Sequence, residues 1–163
     1  MEYLEKVVRR LLQRGEDLKE YYSSVLSAFE LDDGHFLHKE DKSFFEKMMQ
    51  IIDSHIQNTD LSVELLSSSL GYSTRQFYRK LKNVTEKTPA DIIREYRLTI
   101  VERLLLTTQL SIEEIMDKTG FSNRGTFYKA FAQKFEMTPK QYRNIKTKDV
   151  HDASEEGGGT MNV

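Results

Sequence analysis

The chain has 163 residues, 38% hydrophobic and 31% charged, enough for one to one and a half ordinary domains with a modest core. It has no cysteine, which excludes disulfides, thiolate metal sites and cysteine nucleophiles and fits a cytoplasmic setting. No apolar run approaches the length of a membrane span and no signal peptide is visible, so no membrane contact is expected within the chain. His35, His38, His55 and His151 are too scattered to make a metal site, and no metal or cofactor is expected.

The net charge of −2 hides an asymmetry. Residues 1–71 hold 8 Lys and Arg against 14 Asp and Glu, residues 72–148 hold 16 against 8, and residues 149–163 hold none against 4. A segment with a net charge of +8 is the footprint of a polyanion binder. A solvated basic helix face gives the same count, so charge alone leaves both readings open.

In chain order, residues 2–29 read as an amphipathic helix. Leu4, Val8, Leu11, Leu18, Tyr22, Val25 and Phe29 recur at three- and four-residue steps, with Gly15 as a kink or an end. That stripe needs a partner: the rest of the chain, a second copy in a homodimer, or a domain outside the chain. Residues 30–40 read as a linker. Asp41 reads as the N-cap of a helix to about Gln57, with Phe44, Phe45, Met48, Ile51, Ile52 and Ile56 inward. The expected division is an N-terminal extension at 1–40, a main helical domain at 41–147 and a disordered tail at 148–163.

An internal repeat organises the middle. LSVELLSSSLGYS (61–73) aligns with LSIEEIMDKTGFS (110–122), with identities at Leu61/Leu110, Ser62/Ser111, Glu64/Glu113, Gly71/Gly120 and Ser73/Ser122. FYRKLKNVTEKTP (77–89) aligns with FYKAFAQKFEMTP (127–139) at an offset of fifty, and the second copy has one extra residue between the blocks.

Each copy predicts a helix-turn-helix. Ser62 and Ser111 are N-caps, and Ser111 with Glu114 makes a capping box. Val63, Leu66 and Leu70, and then Ile112, Ile115 and Met116, face inward. Gly71 and Gly120 end these helices in the left-handed conformation. Tyr72 and Phe121 plug the angle, and Ser73 and Ser122 cap the next helix, predicted over 74–83 and 123–134. Phe77 and Leu81, or Phe127 and Phe131, point inward.

The outward faces carry Thr74, Arg75, Gln76, Tyr78, Arg79, Lys80 and Lys82, and Asn123, Arg124, Thr126, Tyr128, Lys129 and Lys134. Arginine forks onto guanine, and glutamine or asparagine onto adenine, so such faces suit the major groove. Thr88-Pro89 and Thr138-Pro139 each place an N-cap before a helix-starting proline, Thr138 pairs with Gln141, and Asp91 favours the N-terminus of its helix. The helix from Pro89 to about Leu106, with Ile92, Ile93, Tyr96, Ile100, Val101 and Leu104 inward, joins the copies and is roughly 27 Å long. Major-groove sites on one face of a duplex repeat about every 34 Å, so two readers in adjacent grooves are expected.

These residues resemble the AraC/XylS family of bacterial transcription regulators over about residues 60–145, through GYSTRQFYRKLK, TPADIIREYRLTIVERLL, SIEEIMDKTGFSNRGTFYKAFAQKF and TPKQYR. The resemblance implies an all-α fold of two helix-turn-helix units joined by one long helix. It also implies double-stranded DNA and RNA polymerase as partners, and activation of transcription. By resemblance, the recognition positions are Arg75, Gln76, Tyr78 and Arg79, then Arg124, Gly125, Thr126 and Lys129. The full DNA-binding set adds Ser73, Thr74, Lys82, Asn123 and Tyr128.

Glycine is common in the family at Glu86 and Glu136, alanine at Val101 and lysine at Ala132. Gly125 offers no side chain to a base and leaves readout there to Arg124 and Lys129. LEKVVRRLLQRGEDLKEYYSS also resembles the last helix and linker of a response-regulator receiver domain, which implies the output end of a hybrid two-component regulator. No triad, carboxylate pair or phosphate-binding glycine loop is visible, so no enzyme activity is expected. The competing class is a helical protein-interaction module without DNA binding.

Overall fold

The structure, a computed structural model, describes residues 14–26 and 38–155, with side chains up to residue 149. All regular structure among the described residues is α-helical. A helix over residues 14–26 (α1) is followed by α2 (Lys39–Ser54), α3 (Val63–Ser69), α4 (Thr74–Lys82), α5 (Pro89–Thr107), α6 (Ile112–Thr119), α7 (Arg124–Phe135) and α8 (Pro139–Glu155). The chain forms two compact units that divide within α5, one up to Tyr96 and the other from Arg97. The expected stripe positions Leu4, Val8, Leu11 and Phe29, most of the linker and residues 156–163 of the tail lie outside the described residues.

In the first unit, α2 begins earlier than its sequence implies. Its N-cap is His38, and Asp41 is a buried residue of the first turn rather than the cap. An acid in the first turn is favoured by the helix dipole, and this one also lies 3.9 Å from Lys80 Nζ. The helix ends at Ser54 rather than near Gln57. Phe45, Met48, Met49 and Ile52 are fully buried at i, i+3, i+4 and i+7. Met49 thus replaces the expected Ile51, which is half-buried.

Helix α1, described from Arg14 onward, includes Gly15 and packs on its own chain. Arg14 Nε donates to Asp53 Oδ1 at 2.7 Å, and the Tyr21 hydroxyl donates to Glu95 Oε2 at 3.1 Å. The rings of Tyr21 and Tyr96 lie 5.5 Å apart, and the Tyr96 hydroxyl donates to Asp53 Oδ1 at 2.6 Å. Burial, with Glu95 or Asp53 alongside, pushes both phenols well above their ordinary pKa. Both therefore stay hydrogen-bond donors at neutral pH. Val25 is buried as the stripe implies, while the tyrosine that packs on Tyr96 is Tyr21, one place from the expected Tyr22.

The second unit has its own core of Leu98, Val101, Leu105, Ile115, Met116, Phe121, Phe127, Ala130, Phe131 and Tyr142. Helix α5 therefore buries two different faces. Ile92, Ile93 and Tyr96 serve the first unit, while Leu98, Val101 and Leu105 serve the second. The single continuous face expected from Ile92 to Leu104 is not what forms: Ile100 and Leu104 are only partly buried.

Candidate nucleic-acid interface

Each helix-turn-helix is set by its own short-range chemistry. The Ser62 side chain accepts from the Leu65 N–H, and Ser111 with Glu114 forms the reciprocal capping box. Gly71 and Gly120 have φ of 76° and 75°, the left-handed turn that an L side chain resists. Ser73 caps α4 in a second capping box with Gln76, whose Oε1 accepts from the Ser73 N–H at 3.0 Å. In the second copy the cap passes to the extra residue. The Asn123 side chain accepts from the Thr126 N–H at 2.8 Å, and Ser122 is not the cap. Asparagine caps as well as serine, but Thr126 stands where α4 has Gln76, so α7 has the cap without the reciprocal bond.

The inward positions are as expected. Phe77 and Phe127 are fully buried, and Leu81 and Phe131 nearly so or fully. Phe44 of α2 lies edge-on to Tyr72 at 5.7 Å and to Phe77 at 5.6 Å. Phe127 meets Phe121 at 5.1 Å and Phe131 at 6.2 Å. These rings fix the angle at which α4 and α7 leave the turn.

The outward faces differ between copies. Arg75, Tyr78, Arg79 and Lys82 are all exposed on α4 and fall at i, i+3, i+4 and i+7, one stripe of the helix. Thr74 and Gln76 are exposed beside them. Lys80 turns away from this stripe, with its ammonium 5.8 Å from the Phe44 ring and 5.5 Å from the Tyr72 ring. On α7, Asn123, Arg124, Gly125, Thr126 and Lys129 are exposed and Tyr128 is half-buried. Lys134 lies over the Phe135 ring at 5.3 Å.

Arg124 is the first helical residue of α7, and its neighbours are well defined. Its Nη1 donates to Glu113 Oε1 of α6 and its Nη2 to the Tyr128 hydroxyl at 3.3 Å, with the guanidinium 5.1 Å from the Tyr128 ring. The Glu113 backbone N–H and the Arg124 guanidinium hold the Glu113 carboxyl below its ordinary pKa, and Glu113 raises that of Arg124. Both are therefore fully charged at neutral pH.

Residues 66–145 match a family model described as a helix-turn-helix domain. The chain is 30% identical over 103 residues to the regulatory protein SoxS of Escherichia coli strain K12, a match covering 63% of this chain and 95% of SoxS. The chain belongs to the AraC-type helix-turn-helix family of DNA-binding transcription regulators. It is also similar to histidine kinase P4 of Formosa agariphila, with 34% identity over 104 residues, although it spans only 8% of that protein's length. Among solved structures it is similar to the C-terminal domain of the two-component response regulator yesN from Fusobacterium nucleatum. That match has a TM-score of 0.56 and 28% identity, covering 60% of this chain and 95% of the other.

Two of this AraC-type domain's departures from the family pattern have a structural outcome. Glu136 closes α7 at φ 59°, in the left-handed region, where glycine is the relaxed choice. Val101 is fully buried in the second core, which accommodates its two extra methyl groups. Glu86, by contrast, does not have a positive φ.

The role of Glu113 was not legible in the sequence. Its identity with Glu64 marks the repeat but gives no sign that only one copy reaches an arginine. Arg143 was also missed: its Nε and Nη2 donate to the Leu105 and Leu110 carbonyls at 3.1 and 2.8 Å, tying α8 to the end of α5. Among the described residues, no group of three or more His, Asp or Glu side chains could hold a metal ion, and no helix is long and apolar enough to cross a membrane.

Proposed function

We propose that this chain is the output domain of a two-component system, binding a promoter element through α4 and α7 in adjacent major grooves and activating transcription by recruiting RNA polymerase in the cytoplasm. One observation carries the DNA reading: the same turn is followed twice by a short helix whose outward face is polar, cationic and free of acids. The contacts we assign to DNA are Ser73, Thr74, Arg75, Gln76, Tyr78, Arg79 and Lys82 of the first unit. From the second unit we assign Asn123, Arg124, Gly125, Thr126, Tyr128 and Lys129. Within that set, Ser73, Gln76 and Asn123 also cap their helices, so their free polar groups face backbone phosphate or base beside the cap.

The two-component role is supported by the relatives' own descriptions, a histidine kinase and a response-regulator C-terminal domain. It agrees with a DNA-binding domain at 41–147 that follows a signalling extension at 1–40. A homodimer through the N-terminal helix rests on Leu4, Val8 and Leu11, outside the described residues.

Selection of duplexes from a random library tests the proposal. The expected result is a bipartite site with two half-sites about 10 base pairs apart. Binding should fall steeply with salt as phosphate-bound counterions are released. Arg75→Ala and Arg124→Ala should each cost about 1–3 kcal/mol at one half-site and relax specificity there. A single short motif would remove the two-groove reading. Failure to bind duplex at all would leave a protein-interaction module.

A further inference from the structure

The geometry points to Glu113 as a specificity-determining residue that never touches a base: it holds the Arg124 fork over the reading face of α7. This rests on the proposal that α7 reads DNA. The stripe that carries Arg75, Tyr78, Arg79 and Lys82 on α4 carries Gly125, Tyr128, Lys129 and Ala132 on α7, counted from the two fully buried phenylalanines Phe77 and Phe127. Two long side chains of the stripe are therefore missing from the second unit.

Arg124 stands one position earlier, at the first helical residue, where a flexible side chain has no reason to lie along the stripe. Three contacts bring it there: Glu113 takes Nη1, the Tyr128 hydroxyl takes Nη2, and the guanidinium plane lies against the Tyr128 ring, itself a stripe member. Gly125 adds no side chain beside it, and the Asn123 Oδ1 would lie only 3.3 Å from a Cβ at that position.

The first unit shows that this is not a general feature of the repeat. Its first helical residue is Thr74, and its arginine, Arg75, stands at the second. The matching Glu64 is exposed, and neither its side chain nor that of Arg75 has a hydrogen-bond or ion-pair partner among the described residues. The position that matches Arg124 is Thr74, whose short side chain carries no cation, so the second unit alone has an arginine at the first helical residue. The Glu113 and Arg124 side chains are 61% and 62% exposed, so the pair is screened by solvent and adds little to folding. Its effect is on readiness. A fork already held in one rotamer loses less freedom when it closes on guanine O6 and N7. A carboxylate also repels phosphate, so Glu113 disfavours binding where the fork finds no guanine.

The test uses the full chain and the duplex it selects from a random library. Binding is measured on that duplex and on one with the single base pair read by Arg124 replaced. That base pair is identified as the one at which Arg124→Ala loses discrimination. Glu113→Gln keeps the shape and removes the charge. It should lower the ratio of the two affinities about three- to tenfold, with unchanged or tighter binding to the replaced duplex. In the Arg124→Ala background, Glu113→Gln should change the ratio no further. The melting temperature of Glu113→Gln should match the wild type, separating positioning from folding.

Three results would overturn the inference. A wild-type ratio in Glu113→Gln, with Arg124→Ala still losing discrimination, would remove it and leave the DNA reading intact. Equal tightening on both duplexes would make Glu113 a general electrostatic brake. If Arg124→Ala discriminates at every base pair as the wild type does, the role assigned to Arg124 falls, and that of Glu113 with it.

Discussion

In the first unit α4 offers Arg75, Tyr78, Arg79 and Lys82 along one stripe, whereas the same four places on α7 hold Gly125, Tyr128, Lys129 and Ala132. The inward pairs, Phe77 with Phe127 and Leu81 with Phe131, are apolar and buried in both. The difference shows which face is constrained by folding. Inward positions must fill a close-packed core, while outward positions answer only to what they will touch.

The helix ends differ too. Helix α4 stops after nine residues, and Val84 and Thr85 turn directly into the core. Helix α7 runs for twelve, because the Phe135 ring packs 4.4 Å from Phe131 and 5.0 Å from Tyr142, and it then needs Glu136 in the left-handed region to leave.

The largest expected effect tests the division into units. Phe77→Ala and Phe127→Ala should each destabilise the chain by about 3–5 kcal/mol. Hydrogen exchange should quicken around α3 and α4 for the first and around α6 and α7 for the second. Equal quickening in both regions by either substitution would break the two-unit description.

A smaller effect compares the caps. Ser73→Ala and Asn123→Ala should each cost about 1 kcal/mol in thermal unfolding. If Asn123→Ala is silent while Ser122→Ala is not, the extra residue has been assigned to the wrong place in the turn.

The smallest effect differs between the two copies. Glu136→Gly should stabilise by about 0.5–1 kcal/mol by relieving the left-handed strain, while Glu86→Gly, where φ is not positive, should be neutral or destabilising. A gain of equal size at both positions would mean that the two helix ends are alike after all.

A pH dependence belongs to the second unit as well. Burial, with the Glu102 carboxylate that accepts its hydroxyl, pushes the Tyr142 pKa up to about 12. The folded state then keeps a proton that the unfolded chain gives up near 10. This contribution is complete below about pH 10 and disappears as pH rises towards 12. Tyr142→Phe should flatten that part of the curve.

Much of the fold was legible because its signals are local. Ser62, Ser111, Thr138 and Gln141 form the hydrogen bonds their spacing implies, and Gly71 and Gly120 take the expected backbone conformation. Three differences from the sequence reading each have their own physical reason. Asp41 looked like a cap because an acid near a helix start serves either as cap or in the first turn, and only the neighbouring Lys80 and the earlier start at His38 separate these. Leu98 and Leu105 fall outside a single periodic face on α5, because that helix serves two cores. Ser122 lost the cap to Asn123 because a one-residue insertion can be placed on either side of it in the sequence.

By itself the sequence determined the duplication, the caps, the glycine turns and the cationic outward faces, since each depends on residues within a few positions of one another. The tertiary structure decided what depends on distance across the fold: which face of α5 meets which core, that Lys80 leans onto Phe44 and Tyr72, and that Arg124 is held by Glu113 while Arg75 is not. Such contacts join residues that lie apart in the chain, and side-chain reach in three dimensions has no counterpart in spacing along the chain.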